Sequence, residues 1–307
     1  MLHLLGQRTA ARALHTTCRR YAARQSLLEQ LLRNPELDEQ EAKNELRWMS
    51  EDARQRNVKQ DADQVLEQMV RRRAAGEPLQ YILGNTDFGP LTLLARPPTL
   101  IPRPETAFVV EAYAERLAGV SRPLRILDLC TGSGCIPLLL SHLLGDRLAA
   151  GYGVDLSPEA LALANNNIEF IGDERISVFH GDVMSADFAQ AVDAMTGGRP
   201  IDIITANPPY ITQAEWDALP DSVRVYEDRR ALVGGPVPGF GDGVAFYARI
   251  GELAQQILQP DAELASVPRL AVEIGAEQGA VVSRMLPGRT EVLQDQYGRD
   301  RMVLSTL

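Results

Sequence analysis

A chain of 307 residues, 45% hydrophobic and 23% charged, can hold one full α/β domain and a smaller second one. Its formal net charge of −10 argues against an extended nucleic-acid-binding surface, because phosphate recognition depends on clustered Lys and Arg. No apolar run approaches the ~18 residues needed to span a bilayer, and 3 cysteines and 4 histidines without ligand spacing give no support to a metal site or a disulfide framework.

The chain opens on Arg8, Arg12, Arg19, Arg20 and Arg24, with no acid before Glu29 and with Leu, Ala, Thr and Ser between them. That is the composition of a mitochondrial transit peptide, and Arg19-Arg20-Tyr21 followed by Ala22 looks like a matrix-protease cleavage site; a plain basic tail is the simpler alternative. Residues 1–24 are therefore expected to direct import to the matrix.

Over 25–83 the spacing predicts a small helical domain. Leu27, Leu28, Leu31 and Leu32 begin one amphipathic helix, Ala42, Leu46 and Met49 fit a second, and Val65, Leu66, Met69 and Val70 a third. Arg71-Arg72-Arg73 reads as a solvated helix end favoured by the helix dipole. Residues 84–100, turn-rich with Phe88 and Leu91 to Leu94, read as a β-hairpin leading to a catalytic domain over 101–307. Pro102 and Pro104 stiffen the approach to a helix expected over 107–118, which Glu105 or Thr106 can cap.

Leu124 to Asp128 then reads as a strand, followed by a glycine turn, Thr131-Gly132-Ser133-Gly134-Cys135, and a helix start. Glycine permits close backbone approach to a ligand. The next strand ends in Asp155, about 20 residues after the turn, where a carboxylate can bind a ribose diol. A third, 176–179, leads to Asp182, which can accept from an exocyclic amine such as that of adenine. The turn lacks the third glycine of a dinucleotide fingerprint, which weakens a redox-nucleotide reading. Cys130 and Cys135 read as small residues packed beside the ligand rather than as catalytic thiols.

A fourth apolar run, Ile201 to Thr205, ends at Asn207-Pro208-Pro209-Tyr210. Asn-Pro also opens ordinary turns. Two consecutive prolines, however, remove two N–H donors and fix the backbone, so that the loop presents an amide oxygen and carbonyls to a planar NH2 group. In an open α/β sheet, ligands bind at the carboxyl ends of the strands, where all four signals fall. Downstream, a helix over 244–258, a strand over 270–274, a helix over 276–285 and antiparallel edge strands near 290–293 and 302–304 complete the sheet.

In order and content these motifs resemble class I S-adenosylmethionine-dependent methyltransferases, and more closely the HemK/PrmC family of protein-glutamine methyltransferases. Further blocks that carry the resemblance are Pro78 to Gly84, Leu100 to Thr106, Tyr226-Glu227 with Ala231-Leu232, Asp242-Gly243 with Phe246-Tyr247, Glu273 to Gly275, and Gly298 to Arg301. It covers about residues 65 to 305, and departs at Cys130, usually glycine, at Asp228, commonly proline, and at Ala107, usually an acid. The stretch 234–242 looks longer than its counterpart.

The resemblance implies a Rossmann-like seven-stranded sheet with a small N-terminal helical domain that docks substrate. It implies S-adenosylmethionine as methyl donor, S-adenosylhomocysteine as product and no metal, and it places 101–106 as a lid over the cofactor. The substrate it implies is the glutamine of the Gly-Gly-Gln motif in a peptide chain release factor, here mitochondrial. Thr131, Gly132, Ser133, Gly134 and Cys135 are then expected to hold the methionine portion, Asp155 the ribose, and Asp182 with Val183 the adenine. Asn207 is expected to orient the amide, with Pro208, Pro209 and Tyr210 completing the substrate loop and Asn207 also bordering the cofactor. A ribosomal-protein glutamine methyltransferase shares this chemistry. An adenine-N6 methyltransferase shares the loop but needs a basic groove. Neither direct nucleic-acid binding nor a membrane anchor is expected, and Glu273 is left outside the catalytic set.

Overall fold

The structure, a computed structural model, describes residues 24–56, 61–236 and 241–307. The expected transit segment lies outside them apart from Arg24, as do residues 237–240 of the Pro/Gly-rich loop. The fold divides into two units, one of residues up to Leu83 with Pro220–Ser222, the other of Gly84–Leu219 and Val223–Leu307. Among the described residues no helix is long and apolar enough to cross a membrane.

The first unit contains α1 (24–31), α2 (Glu39–Gln55), α3 (Ala62–Ala74) and α4 (Leu79–Leu83). Asp38 and Glu41 close a capping box at the start of α2, each side chain bonding the other's backbone N–H at 2.7 and 2.9 Å. Leu28, Leu31, Leu46, Met49, Val65, Met69 and Val70 form its core, as their helical spacing requires. The reading of Arg71–Arg73 as a solvated end is corrected at its last residue. Arg73 is buried and forks onto Glu45 of α2 at 2.7 and 3.2 Å, while its carbonyl accepts from the Asn34 amide at 2.9 Å. Arg72 pairs with Glu77, so only part of the run serves the surface.

The second unit begins with an antiparallel hairpin, β1 (Asn85–Phe88) and β2 (Leu91–Leu94). A seven-stranded sheet follows in the order β5-β4-β3-β6-β7-β9-β8, built from β3 (Leu124–Leu129), β4 (Leu148–Asp155), β5 (Ile176–His180), β6 (Ile203–Ala206), β7 (Leu270–Glu273), β8 (Arg289–Gln294) and β9 (Asp300–Thr306). The first five of these pair in parallel, and β9 and β8 pair antiparallel at one edge. This is the class I methyltransferase sheet.

Period-two alternation along each buried strand feeds two cores. Ile126, Ile203 and Ala271 face one side, where α5 (Pro104–Arg116), α6 (Cys135–Leu144) and α7 (Pro158–Ile171) pack. Leu127, Ile204 and Val272 face the other, against α8 (Phe188–Thr196), α11 (Ala245–Ile257) and α12 (Gly279–Met285). The short helices α9 (Gln213–Ala218) and α10 (Asp221–Arg224) occupy the connection between β6 and α11.

The start of α5 differs from expectation. The helix begins at Pro104, whose missing N–H costs nothing at the first helical position, and Arg103 is the N-cap without a side-chain bond. Neither Glu105 nor Thr106 caps it. Thr106 is instead buried in the first turn, its hydroxyl without a hydrogen-bond partner.

Candidate active site

At the carboxyl ends of β3, β4, β5 and β6 lies a cavity of about 1090 Å³, its open mouth included. The glycine turn forms one wall. Cys130 leaves β3 with φ of 57°, the only non-glycine residue among those described in the left-handed region, which explains why glycine is the easier residue there. Gly132 and Gly134 follow with φ of 56° and 77°. Thr131, Gly132, Ser133 and Cys135 line the cavity, and Gly134 does not. Gly134 is the N-cap of α6, and a Cβ there would stand 3.3 Å from the Ala164 Cβ, so its work is the close packing of α6 against α7.

Asp155, beside the glycine turn, and Asp182 with Val183 also line the cavity. The two oxygens of Asp155 accept from Gly132 N at 2.8 Å and Ser157 N at 2.9 Å. Burial raises its pKa, and those backbone bonds pull it back. Each carboxylate oxygen keeps a second lone pair for a ligand. Asp182 accepts from Met184 N at 2.9 Å through its Oδ1.

Behind the turn Asp128 is fully buried, and Thr205 donates to its Oδ1 at 2.6 Å. Its Oδ2 has no partner; the Thr131 hydroxyl lies near it but outside hydrogen-bonding geometry. Burial pushes this carboxyl up to about 7, against the pull of the two threonines. Burial also pushes the Cys135 thiol up to about 12 and the Cys130 thiol well above its usual value.

Residues 98–106 form a further wall, with Pro98, Pro102, Arg103 and Thr106 among its lining side chains. Glu227, buried, pins this segment by accepting from Arg103 Nη2 at 2.7 and 2.8 Å and from Ile101 N at 3.2 Å. Asp228 N donates to the Pro98 carbonyl at 2.7 Å.

Of the Asn-Pro-Pro-Tyr loop, Asn207 and Pro209 line the cavity, and Pro208 and Tyr210 are their chain neighbours outside its lining. The backbone on either side is tied down. Gln278 Nε2 donates to the Tyr210 carbonyl at 3.0 Å, and Ile211 exchanges bonds with Leu232 and Gly234 at 2.9 and 3.0 Å. A Cβ on Gly243, whose φ is 74°, would meet the Tyr210 carbonyl oxygen at 2.3 Å, so only glycine fits beside the loop.

The comparisons of sequence agree on one family. The PrmC N-terminal domain family matches residues 44–84. The release factor glutamine methyltransferase of Moorella thermoacetica is 38% identical over 244 residues, covering 78% of this chain and 78% of that protein. The chain belongs to the HemK/PrmC family of release factor glutamine methyltransferases. The enzyme of the same name from Geobacter sulfurreducens is also 38% identical, over 240 residues that cover 76% of this chain and 75% of that one. Among solved structures, the release factor-specific protein-(glutamine-N5) methyltransferase of Alicyclobacillus acidocaldarius is 22% identical, with a TM-score of 0.37, covering 66% of this chain and 92% of that chain.

The cavity of this HemK/PrmC protein fits a nucleoside that carries a charged amino-acid arm. It offers two carboxylates at neighbouring strand ends, an apolar wall of prolines, and the buried hydroxyls of Thr131 and Thr106 with no hydrogen-bond partner in the protein. Such orphaned buried groups cost free energy unless a ligand completes them. These features fit S-adenosylmethionine, the methyl donor of the class I fold. Left outside the catalytic set by the sequence, Glu273 is the last residue of β7, buried behind the loop with its Oε2 unpartnered. Its sequence signals were an acid at the end of an apolar strand and its place in the Glu273 to Gly275 block.

Proposed function

We propose that this protein methylates the side-chain amide nitrogen of the glutamine in the Gly-Gly-Gln motif of a mitochondrial peptide chain release factor. The observation that carries the reading is that Asn207 and Pro209 share one cavity wall system with Asp155, Asp182 and the glycine turn, so that an acceptor for a planar amide and the nucleoside contacts meet in a single space.

A glutamine amide nitrogen is a poor nucleophile because its lone pair is delocalised into the carbonyl, and no base deprotonates it readily near neutrality. Position and polarisation supply the difference. Asn207 through its side-chain oxygen, with the Pro208 carbonyl, accepts the two amide hydrogens and increases electron density on nitrogen. Holding the nitrogen on line with its target can account for about 7 to 11 kcal/mol of barrier. When bound, S-adenosylmethionine supplies an electrophilic methyl group. Thr131, Gly132, Ser133 and Cys135 would hold its methionine arm, Asp155 the ribose hydroxyls, and Asp182 with Val183 the adenine. The pinned segment 98–106 excludes water from the same space.

The arginine-rich leader supports import to the matrix, and the helical domain supports docking of the factor. Mass spectrometry of mitochondrial release factor and ribosomal proteins, with and without this enzyme, tests the assignment: one glutamine of the release factor should gain one methyl group. Gain on a ribosomal protein instead would redirect it, and a full-length fusion that stays outside mitochondria would refute the location.

A further inference from the structure

We propose that Glu273 is a positioning residue for methyl transfer, acting through the Tyr210 hydroxyl to set the Asn207–Tyr210 loop in its working arrangement when its carboxylate is ionised. The proposal rests on the functional reading above and adds to it a residue outside the cavity wall.

The backbone of the loop is already fixed without Glu273. Gln278 holds the Tyr210 carbonyl at 3.0 Å, and its own Oε1 is held by Gly275 N at 2.9 Å and by the Tyr247 hydroxyl at 3.1 Å. That hydroxyl also lies 3.1 Å from the Glu273 carbonyl oxygen, tying the end of β7 to α11. What the backbone bonds leave unset is the hydroxyl of the tyrosine ring, which packs on the core and stands between Glu273 and Arg301. The Tyr210 hydroxyl reaches Glu273 Oε1 at 3.4 Å, a long contact that shortens and strengthens when the acceptor carries charge.

Nothing about packing requires an acid here. Glu273 is 2% exposed, and its Oε2 has no partner. Leaving such a group in an apolar site costs more than a well-packed neutral residue would. The groups facing it come from several elements: Arg301 of β9, Glu105 and Thr106 of α5, Cys135 of α6, Tyr247 of α11, and Tyr210 itself. Arg301 makes no ion pair with it; its Nη2 donates to Asp295 at 3.2 Å, and its buried Nε has no hydrogen-bond partner. Burial raises the carboxyl to about 7, while Thr106, Arg301 and Tyr210 pull the other way and Glu105 adds to the rise. The group is poised between charge states rather than locked in one. Ionised, it is an acceptor only, and draws the hydroxyl of the loop's last residue toward β7.

The test is single-turnover methyl transfer to purified mitochondrial release factor at saturating S-adenosylmethionine, from pH 5.5 to 8.5. The wild type, Glu273→Gln, Tyr210→Phe and the double variant are compared. The wild-type rate should rise through about pH 7 and level off. Glu273→Gln keeps the shape and an acceptor oxygen but not the charge, so its plateau should fall about 10- to 100-fold, the range of a hydrogen bond to a charged group. The rise should disappear, and cofactor Kd should stay within about twofold. Tyr210→Phe should flatten the profile alone, and the double variant should lose no more than either single one. Full rate and an unchanged profile in Glu273→Gln or in Tyr210→Phe overturn the proposal, as does multiplication of the two effects. Tyr210 ring resonances followed by NMR should titrate near pH 7 in the wild type and not in Glu273→Gln, whatever the substrate. Their failure to titrate sinks the Glu273 contact, whereas an unmodified release factor sinks only the functional reading.

Discussion

The two ends of the seven-stranded sheet hold acids and arginines in opposite ways. At the amino ends of β3, β6 and β7, Asp202 accepts from Arg122 and from Arg125 N, each at 2.7 Å, and Arg122 also reaches Asp261. Arg269, buried, donates to the Asp202 and Gln259 carbonyls at 2.9 and 2.7 Å. Arg122 there holds the Asp261 carboxyl below its usual range. At the carboxyl ends, Asp128 Oδ2, Thr131 Oγ1, Thr106 Oγ1 and Glu273 Oε2 are buried and unmatched, and burial raises both acids to about 7. At the amino end these acids and arginines are matched inside the protein. The other keeps capacity in reserve, at a cost in stability, for something that arrives from outside.

Substitutions should therefore separate stability from activity along the strand direction. The largest effect is expected from Asn207→Ala, which should lower kcat by about 10³-fold, the scale of losing a group aimed at developing charge, while cofactor binding and Tm stay near wild type. Turnover near the wild-type rate, measured with release factor, would remove Asn207 from the chemistry.

Next comes Asp128. Its folded pKa of about 7 lies above the ordinary carboxyl value of 3.8, so the folded state holds a proton that the unfolded state has lost between those pH values. Stability from this group is fully present below about pH 4 and fades as pH rises through 7. Relative to Asp128→Asn, the wild type should lose up to about 4 kcal/mol of unfolding free energy between pH 4 and pH 8 in urea titrations. A constant difference would show that the acid is not desolvated.

At the opposite end, Arg269→Met should cost about 3 kcal/mol by leaving buried carbonyls and Asp202 unmatched, with kcat per folded molecule unchanged. A kinetic defect without loss of Tm would reverse the assignment of that end to stability. Smallest of the four, Asp155→Asn should weaken cofactor binding by about 2 kcal/mol, as calorimetry reads it, because a charged acceptor is replaced by a neutral one. Unchanged affinity would mean that the ligand does not use this carboxylate.

The cavity wall was legible because short-range rules place it. Apolar runs located β3 to β6, and an acid, a glycine turn or an Asn-Pro pair at or just past each strand end marked where a ligand contact belongs. Long-range pairing left no such mark. Arg73 reads as surface until Glu45, 28 positions away, is found against it, and the Arg122 network spans separations of 80 and 139 residues. Glu273 reads as a strand-end acid, and its burial emerges only when α5, α11 and β9 close around it. Gly134 reads as a ligand contact by adjacency, yet its conformation and the Ala164 methyl give it a packing task. Thr106 reads as a cap because Thr commonly is one, and Pro104 takes that place.

The cysteines of the glycine turn acquire a particular meaning in such a cavity. A methyl sulfonium bound in this cavity would share it with two soft sulfur atoms, and a thiolate is a far better acceptor of carbon than an amide nitrogen. Keeping both sulfurs protonated by desolvation removes that competitor without removing the small side chains that shape the wall. Prolonged incubation with the methyl donor alone should accordingly leave Cys130 and Cys135 unmodified, and the enzyme should outlast its own reagent.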